Sequence, residues 1–167
     1  MTDIGIRAAT IDDLAYITAL INHYIVHTAI TFDVDAYTTE QRVPWFHEHN
    51  DGKRYRMLVA EVAGEIVGYC ASGAFRPKPA YATSVEVSIA CTPSFAGRGV
   101  GTLLYEELFR LLAVEDVHCA IAAIVPPNEA SVKLHRRFGF EEVGVMKQCG
   151  RKFGRYWDVL WMQKRMR

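Results

Sequence analysis

The sequence predicts a one-domain protein of the α/β (α+β) class, in which antiparallel strands come first and a strand–helix–strand crossover follows. The chain has 167 residues, of which 50% are hydrophobic and 23% are charged. This length and balance are typical of a single folded domain and exclude a disordered chain. Strand-like and helix-like periodicities alternate along the sequence, which predicts a mixed sheet with a right-handed crossover.

The first half of the chain contains two helical patterns and several short apolar runs. Residues 5–9 are predicted to form a strand, and Thr10 with Asp13 resembles a capping box that opens a helix. A second helix is predicted across 39–49. Three apolar runs follow and are predicted to be strands, of which the first two pair as a hairpin: 55–62, 66–74 and 83–91.

The second half begins with a glycine-rich loop at 97–101 that leads into a helix. Four leucines recur at helical spacing after this loop, from Leu104 to Leu112. Residues 117–125 are predicted to form a buried strand, and a helix is predicted at about 129–137. Two further strands complete the chain as a second hairpin, near 142–149 and 156–164.

The strand–loop–helix unit carries the strongest chemical signal. Glycines at alternating positions in G-R-G-V-G let the backbone approach a ligand, and the following helix adds its unpaired N–H groups and positive dipole end. This combination favours a phosphate, and Arg98 adds a positive charge to the loop. A P-loop needs a Gly-Lys pair and a Rossmann loop needs G-x-G-x-x-G early in a parallel sheet, so both fit poorly. A tight structural turn remains the alternative.

The order of motifs resembles the GNAT acetyltransferase superfamily: V-E-V-S-I-A precedes the glycine loop, and N-E-A-S-V-K-L-H-R-R-F-G-F follows it. The segments I-N-H-Y-I, F-R-P-K-P-A-Y and G-R-K-F-G-R-Y-W-D-V are similar to the phosphinothricin N-acetyltransferase subfamily, and the likeness covers roughly residues 7 to 163. It implies a GNAT acyl-CoA N-acyltransferase fold: a central, mostly antiparallel mixed sheet, splayed after the fourth strand, with helices on both faces. Ala96 departs from the family, which often has Gln or Arg there.

The resemblance implies transfer of an acetyl group from acetyl-CoA to the α-amino group of a small amino acid. Phosphinothricin, methionine sulfoximine and methionine sulfone are the implied substrates, and a homodimer is the implied assembly. The loop backbone is expected to hold the pyrophosphate of acetyl-CoA, and the end of the third apolar run is expected to hold its pantetheine. The expected cofactor residues are Ile89, Ala90, Cys91, Gly97, Arg98, Gly99, Val100, Gly101, Thr102 and Asn128.

Two residues are candidates for catalysis. Glu86 is the one charged residue in the apolar run 83–91, so burial is expected to raise its pKa into the range that suits a general base. A solvated strand carboxylate is the alternative. His135 stands where family members often have a tyrosine, and its imidazolium is a candidate acid for the leaving thiolate. A histidine that only packs is the alternative there.

An amino-acid substrate needs a cation for its carboxylate. Arg76 in F-R-P-K-P fits, because a guanidinium grips a carboxylate at two points. Aromatic residues are expected to wall the pocket, and an ordinary surface loop is the alternative reading. The expected substrate-binding residues are Phe32, Phe75, Arg76, Pro77, Lys78, Tyr81, Val87 and Ser88.

Charge and composition exclude several other classes. The net charge is zero, which argues against a nucleic-acid partner. Residues 133–167 nevertheless hold ten basic and three acidic residues, and the charge of Lys133, Arg136 and Arg137 is a candidate partner for the phosphates of CoA, with ordinary solvated surface as the alternative. Neither a signal peptide nor a membrane span is expected, and four scattered cysteines predict a cytoplasmic protein without a metal site. Three alternative functions stay open: acetylation of another amine (a protein N-terminus, polyamine or antibiotic), a non-catalytic CoA-binding module, and a nucleotide-binding protein.

Overall fold

The computed structural model describes residues 3–166, whose strands form one seven-stranded sheet in the order β1-β2-β3-β4-β5-β7-β6. Neighbouring strands are antiparallel except β4 and β5, which are parallel. The strands are β1 (Gly5–Ala8), β2 (Met57–Val62), β3 (Glu65–Ala74), β4 (Ser84–Cys91), β5 (Cys119–Ile124), β6 (Glu141–Lys152) and β7 (Arg155–Arg165). The helices are α1 (Leu14–His27), α2 (Thr39–Glu48), α3 (Val100–Leu112) and α4 (Glu129–Arg137).

These elements confirm the predicted fold class and shift some of the predicted boundaries. The strands of the last hairpin are longer than the predicted ranges near 142–149 and 156–164, because their pairing continues as far as Lys152 opposite Arg155. The strand predicted at 117–125 is shorter and covers only β5. Thr10 opens a short 3-10 turn over Ile11–Asp13, and α1 follows directly from that turn.

The turn before α1 is held by a buried carboxylate. Asp13 accepts a hydrogen bond from the Thr10 N–H at 2.7 Å and pairs with two Arg7 nitrogens at 2.7 and 2.8 Å. The Arg7 guanidinium also pairs with Glu61 on β2. The hydrogen bond from Arg7 holds the pKa of Asp13 below its ordinary value, so the ion pair links β1 and β2 to the start of α1.

Each face of the sheet packs against its own helices because successive side chains of a strand point to opposite faces. On one face, Leu104, Leu108 and Leu112 of α3 belong to the same core as Val85 and Val87 of β4. The other face carries α1 and α2, in a core with these members: Ile17, Ile21, Ile25, Phe46, Met57, Val59 and Tyr69. Glu86 lies between Val85 and Val87 and therefore faces α1 and α2.

The sheet opens where β4 and β5 separate. The parallel register contains three pairs, ending at Glu86 opposite Ile121, although β4 continues to Cys91. The freed carbonyl of Cys91 accepts the Tyr24 hydroxyl from α1 at 2.5 Å. The predicted splay after the fourth strand is confirmed, and it creates a gap in the middle of the sheet.

Candidate active site

Two cavities meet at the gap between β4 and β5. The inner cavity has a volume of about 450 Å³ and lies between Glu86, α1 and α2. The loop cavity has a volume of about 610 Å³ and lies against the glycine loop and α4. The two cavities share six of their lining residues, and these form the junction between them: Tyr24, Ile30, Ile89, Ala90, Asn128 and Ser131.

The glycine loop presents backbone donors to the loop cavity. Gly97 and Gly99 adopt φ values of +74° and +85°, a region that favours glycine because it has no Cβ. The first hydrogen bond of α3 runs from the Leu103 N–H to the Gly99 carbonyl, so the N–H groups of residues 100–102 lack intrahelical acceptors. Lys133 and Arg137 of α4 line the same cavity. Free N–H groups, a helix N-terminus and two cations suit a phosphate-bearing ligand.

The side chain of Arg98 is not part of the loop cavity lining. The backbone N–H of Arg98 donates to the Phe95 carbonyl at 3.3 Å, and the guanidinium lies 5.1 Å from the centre of the Phe95 ring. The cations in the lining come from α4 instead, which packs close to the loop because Gly101 has no side chain. A Cβ on Gly101 would lie 3.1 Å from Leu134, so glycine permits this approach.

The remaining predicted cofactor residues lie along the same path. Val100, Gly101 and Thr102 line the loop cavity together with Cys91, while Ile89, Ala90 and Asn128 belong to the junction. The Asn128 side chain also accepts the Ser131 N–H at 3.3 Å, which caps α4. The exposed edge of β4, the glycine loop and the start of α4 therefore surround the loop cavity and its junction with the inner cavity.

Glu86 lies in the wall of the inner cavity, half-buried beside the gap. Burial raises the pKa of its carboxyl above the ordinary value, and the positive charge of Arg76 partly offsets this rise. Gly73 pairs with Glu86 across β3 and β4, and a Cβ on Gly73 would overlap the imidazole of His49. The glycine thus lets His49 lie directly over the strand next to the candidate base.

The imidazole of His49 has a defined orientation. Its Nδ1 lies 2.9 Å from the Trp45 carbonyl, which accepts only, so Nδ1 carries the proton and Nε2 has a free lone pair over Gly73. Burial lowers the pKa of His49 and favours this neutral form. Sequence reasoning did not single out His49, the last residue of the helix predicted across 39–49, because its position depends on contact with Gly73 in a distant strand.

His135 is buried at the far side of the inner cavity. Its Nδ1 donates to the Ser131 carbonyl at 2.8 Å, and its Nε2 accepts the Tyr105 hydroxyl at 2.9 Å. Burial lowers the pKa of the imidazole, so the neutral form dominates near neutral pH. Its proposed role as an acid therefore depends on a minor imidazolium population.

The predicted substrate residues divide into two groups. Val87 and Ser88 line the inner cavity. The Arg76 guanidinium lies outside that lining, 4.5 Å from the Phe75 ring centre and 5.8 Å from that of Trp161. Phe75 and Phe32 also lie outside the lining, and Phe32 packs against Gly150. The exposed segment that contains Pro77, Lys78 and Tyr81 lies outside it as well.

Among residues 3–166, each helix is too short or too polar to cross a membrane. Within that same part of the chain, His, Cys, Asp and Glu side chains do not gather in threes that would hold a metal ion.

Comparison with known proteins places the chain in a family. The model of the acetyltransferase (GNAT) domain matches residues 6–161. A phosphinothricin N-acetyltransferase of Streptomyces coelicolor is 49% identical over 164 residues, 97% of this chain and 96% of that protein. An L-methionine sulfoximine/L-methionine sulfone acetyltransferase of Pseudomonas aeruginosa is 36% identical over 160 residues, 95% and 92% of the two chains.

A solved structure agrees with the sequence comparisons over almost the whole chain. It is a GNAT superfamily phosphinothricin acetyltransferase of Sinorhizobium meliloti in complex with acetyl-CoA. The TM-score is 0.92 at 32% identity, and the match covers 99% of this chain and 89% of that one. Fold, sheet opening, glycine loop and sequence thus point the same way, and the chain belongs to the GNAT acetyltransferase family.

Proposed function

We propose that this protein transfers the acetyl group of acetyl-CoA to the α-amino group of a small amino acid or analogue, such as phosphinothricin, methionine sulfoximine or methionine sulfone. One observation carries the proposal: Glu86 lies at the last β4–β5 pair, where the inner cavity begins and the junction with the loop cavity follows. The names of the relatives support this substrate class.

The loop cavity would hold acetyl-CoA. The N–H groups at the start of α3 would bind its pyrophosphate, with Lys133 and Arg137 adding charge. The exposed edge of β4 at residues 89–91 would bind the pantetheine amides, and Asn128 lies where the two cavities join. This arrangement would bring the thioester to the gap next to Glu86.

Acetyl transfer requires a neutral amine, and an α-amino group has a pKa of about 8. In the proposed reaction, Glu86 accepts a proton from the ammonium group, directly or through water, and the nitrogen attacks the thioester carbonyl. The C–N bond forms, the tetrahedral intermediate collapses, and the C–S bond breaks. The CoA thiolate then receives a proton, for which His135 is the proposed donor through its imidazolium form.

The α-carboxylate of the substrate would lie near the opening of the inner cavity. Arg76 is the proposed partner because its charge acts on Glu86, and the amine and carboxylate of an amino acid share one carbon. Phe75 and Tyr81 form an edge-to-face pair beside it, with ring centres 5.5 Å apart. Phe32, Pro77 and Lys78 would complete this side of the pocket.

A homodimer is also proposed, with β6 at the interface. This edge strand exposes apolar side chains, with Val143 at 63%, Met146 at 51% and Val145 at 44%. Exposed apolar residues grouped at one edge are typical of a contact surface. Sedimentation of the wild type should give twice the monomer mass, and Val143→Lys should shift it to the monomer. A monomeric wild type would refute the dimer.

We also propose that the protein works in the cytoplasm. The four cysteines are free thiols in the structure, and Cys149 is exposed. Free thiols are expected in a reducing compartment. Fractionation of the native host should recover the protein with soluble cytoplasmic markers, and recovery with secreted proteins would contradict the proposal.

The function is tested by following acetyl-CoA consumption with a panel of amino acids, phosphinothricin, methionine sulfoximine and methionine sulfone. We expect turnover with one or more of these α-amines. Turnover only with a protein N-terminus, a polyamine or an antibiotic would support a different amine. Thermal stabilisation by acetyl-CoA without turnover would support a CoA-binding module, and stabilisation by ATP or NAD alone would support a nucleotide-binding protein.

A further inference from the structure

The wall of the inner cavity contains a buried cation that the reaction above does not use. Arg42 of α2 is 8% exposed and lines the cavity. Within residues 3–166 its guanidinium forms no ion pair, and its buried Nε has no hydrogen-bond partner. Buried charges are normally paired, and an unpaired one is costly, so a partner from outside the chain is expected.

Aromatic stacking holds the guanidinium in place but leaves its donors free. Its central carbon lies 3.8 Å from the Trp45 ring centre and 5.0 Å from that of Tyr37. Stacking uses the faces of the planar group, while its N–H donors point outward in the plane. The guanidinium of Arg42 is therefore fixed in the cavity wall with its N–H donors available to a ligand.

One acidic side chain near Arg42 is already engaged elsewhere. Asp33 also lines the inner cavity, and its carboxylate accepts hydrogen bonds from the Tyr37 hydroxyl at 3.1 Å and the Thr31 hydroxyl at 3.4 Å. It is not within ion-pair distance of Arg42. The guanidinium thus keeps its capacity for an oxygen-bearing ligand.

The position of Arg42 along α2 places it away from Glu86. His49 lies over Gly73, the partner of Glu86, whereas Trp45 lies against Tyr69, with ring centres 6.2 Å apart. Arg42 precedes His49 by seven residues, which corresponds to about 10 Å along a helix. An amino acid whose amine lies at Glu86 therefore has its side chain, and not its carboxylate, within reach of Arg42.

We propose that Arg42 binds the oxygen-bearing end of the substrate side chain, a phosphinate or a sulfone, and so selects side chains that end in such a group. This inference rests on the proposed function. Arg76 would then bind the α-carboxylate, because its charge acts on Glu86, and Arg42 would bind the end of the side chain. A phosphinate and a sulfone each carry two oxygens on one atom, and the two-pronged guanidinium can bind both oxygens together.

The test compares kcat/KM of the wild type and Arg42→Gln on phosphinothricin, methionine sulfone and methionine. Methionine has no side-chain oxygen and is the internal reference. We expect a loss of about 10- to 100-fold on the first two substrates, mainly through KM, and little change on methionine. Arg42→Lys should recover part of the activity on phosphinothricin because it keeps the charge. Arg110→Gln, at an exposed ion pair, is the matched control.

The outcomes separate the two proposals. An equal loss on all three substrates, or no loss, overturns the role of Arg42 in side-chain recognition. Stabilisation of Arg42→Gln by acetyl-CoA shows that the variant is folded. A wild type without turnover refutes the proposed function, and thermal shifts with phosphinothricin then decide on Arg42. A shift in the wild type that Arg42→Gln loses supports the anion site, and the absence of a shift overturns it.

Discussion

Glu86 and Ile121 form the last pair between the parallel strands β4 and β5, and the strands separate directly beyond it. The carboxylate of Glu86 therefore lies at the edge of the gap that joins the two cavities. The position of the proposed base is thus set by where the parallel register stops.

Replacing Glu86 with glutamine should lower kcat by about 10²- to 10⁴-fold, because the amide cannot accept the ammonium proton. In the wild type, kcat should fall as pH decreases through the pKa of Glu86, which burial raises above 4.5. A pH profile of both proteins measures this, and the variant should lose that acidic limb. Glu65→Gln, on the exposed end of β3, should behave as the wild type. An unchanged kcat in Glu86→Gln would reject the base.

Replacing Gly99 with alanine should weaken acetyl-CoA binding. The φ of Gly99 is +85°, where an alanine costs about 1–2 kcal/mol, and any relaxation moves the N–H groups that face the loop cavity. Gly64→Ala is a matched control, since Gly64 has a φ of +83°, and a Cβ at either glycine would have open space. Both variants should lose similar stability in urea, whereas only Gly99→Ala should raise the KM for acetyl-CoA. Equal KM values in the two variants would argue against the phosphate site.

The ion pair of Asp13 should stabilise the protein in a pH-dependent way. The folded pKa of Asp13 lies below its ordinary 3.8, so the stabilisation is complete above that value and is lost as pH falls through the folded pKa. Asp13→Asn should lower the free energy of unfolding by about 1.5–3 kcal/mol at neutral pH, and the difference should shrink in acid. Urea titrations at several pH values measure it, with Asp12→Asn in the same turn as the control. A difference that persists at low pH would point to packing instead.

Patterns within single segments predicted much of the fold and the cofactor site. The glycine loop stands out because alternating glycines precede an amphipathic helix, and Gly97 and Gly99 indeed adopt positive φ. Glu86 was identified because one carboxylate within an apolar strand is unusual. Both signals depend on neighbours in the sequence, so they needed no knowledge of the sheet order.

The residues that were missed depend on contacts between distant segments. No pattern in the sequence singles out Arg42, and only the packing of α2 on the sheet shows that it is buried. His49 acquires its position from the absence of a side chain on Gly73. Arg98 and the basic residues of the helix after Asn128 are both candidates from the sequence, and only the structure shows that Lys133 and Arg137 line the cavity, where Gly101 lets α4 approach.

The sequence by itself determined the order of helices and strands and identified the candidate phosphate loop at Gly97 to Gly101 and the candidate base Glu86, since each has a signal in local periodicity or residue type. The tertiary structure alone decided where β4 and β5 separate, which cations face the cavities and how Arg42 and His49 surround the inner cavity. These features arise from burial and close approach between segments far apart in the chain. The sequence of neither strand alone predicts that their pairing ends at Glu86 and Ile121.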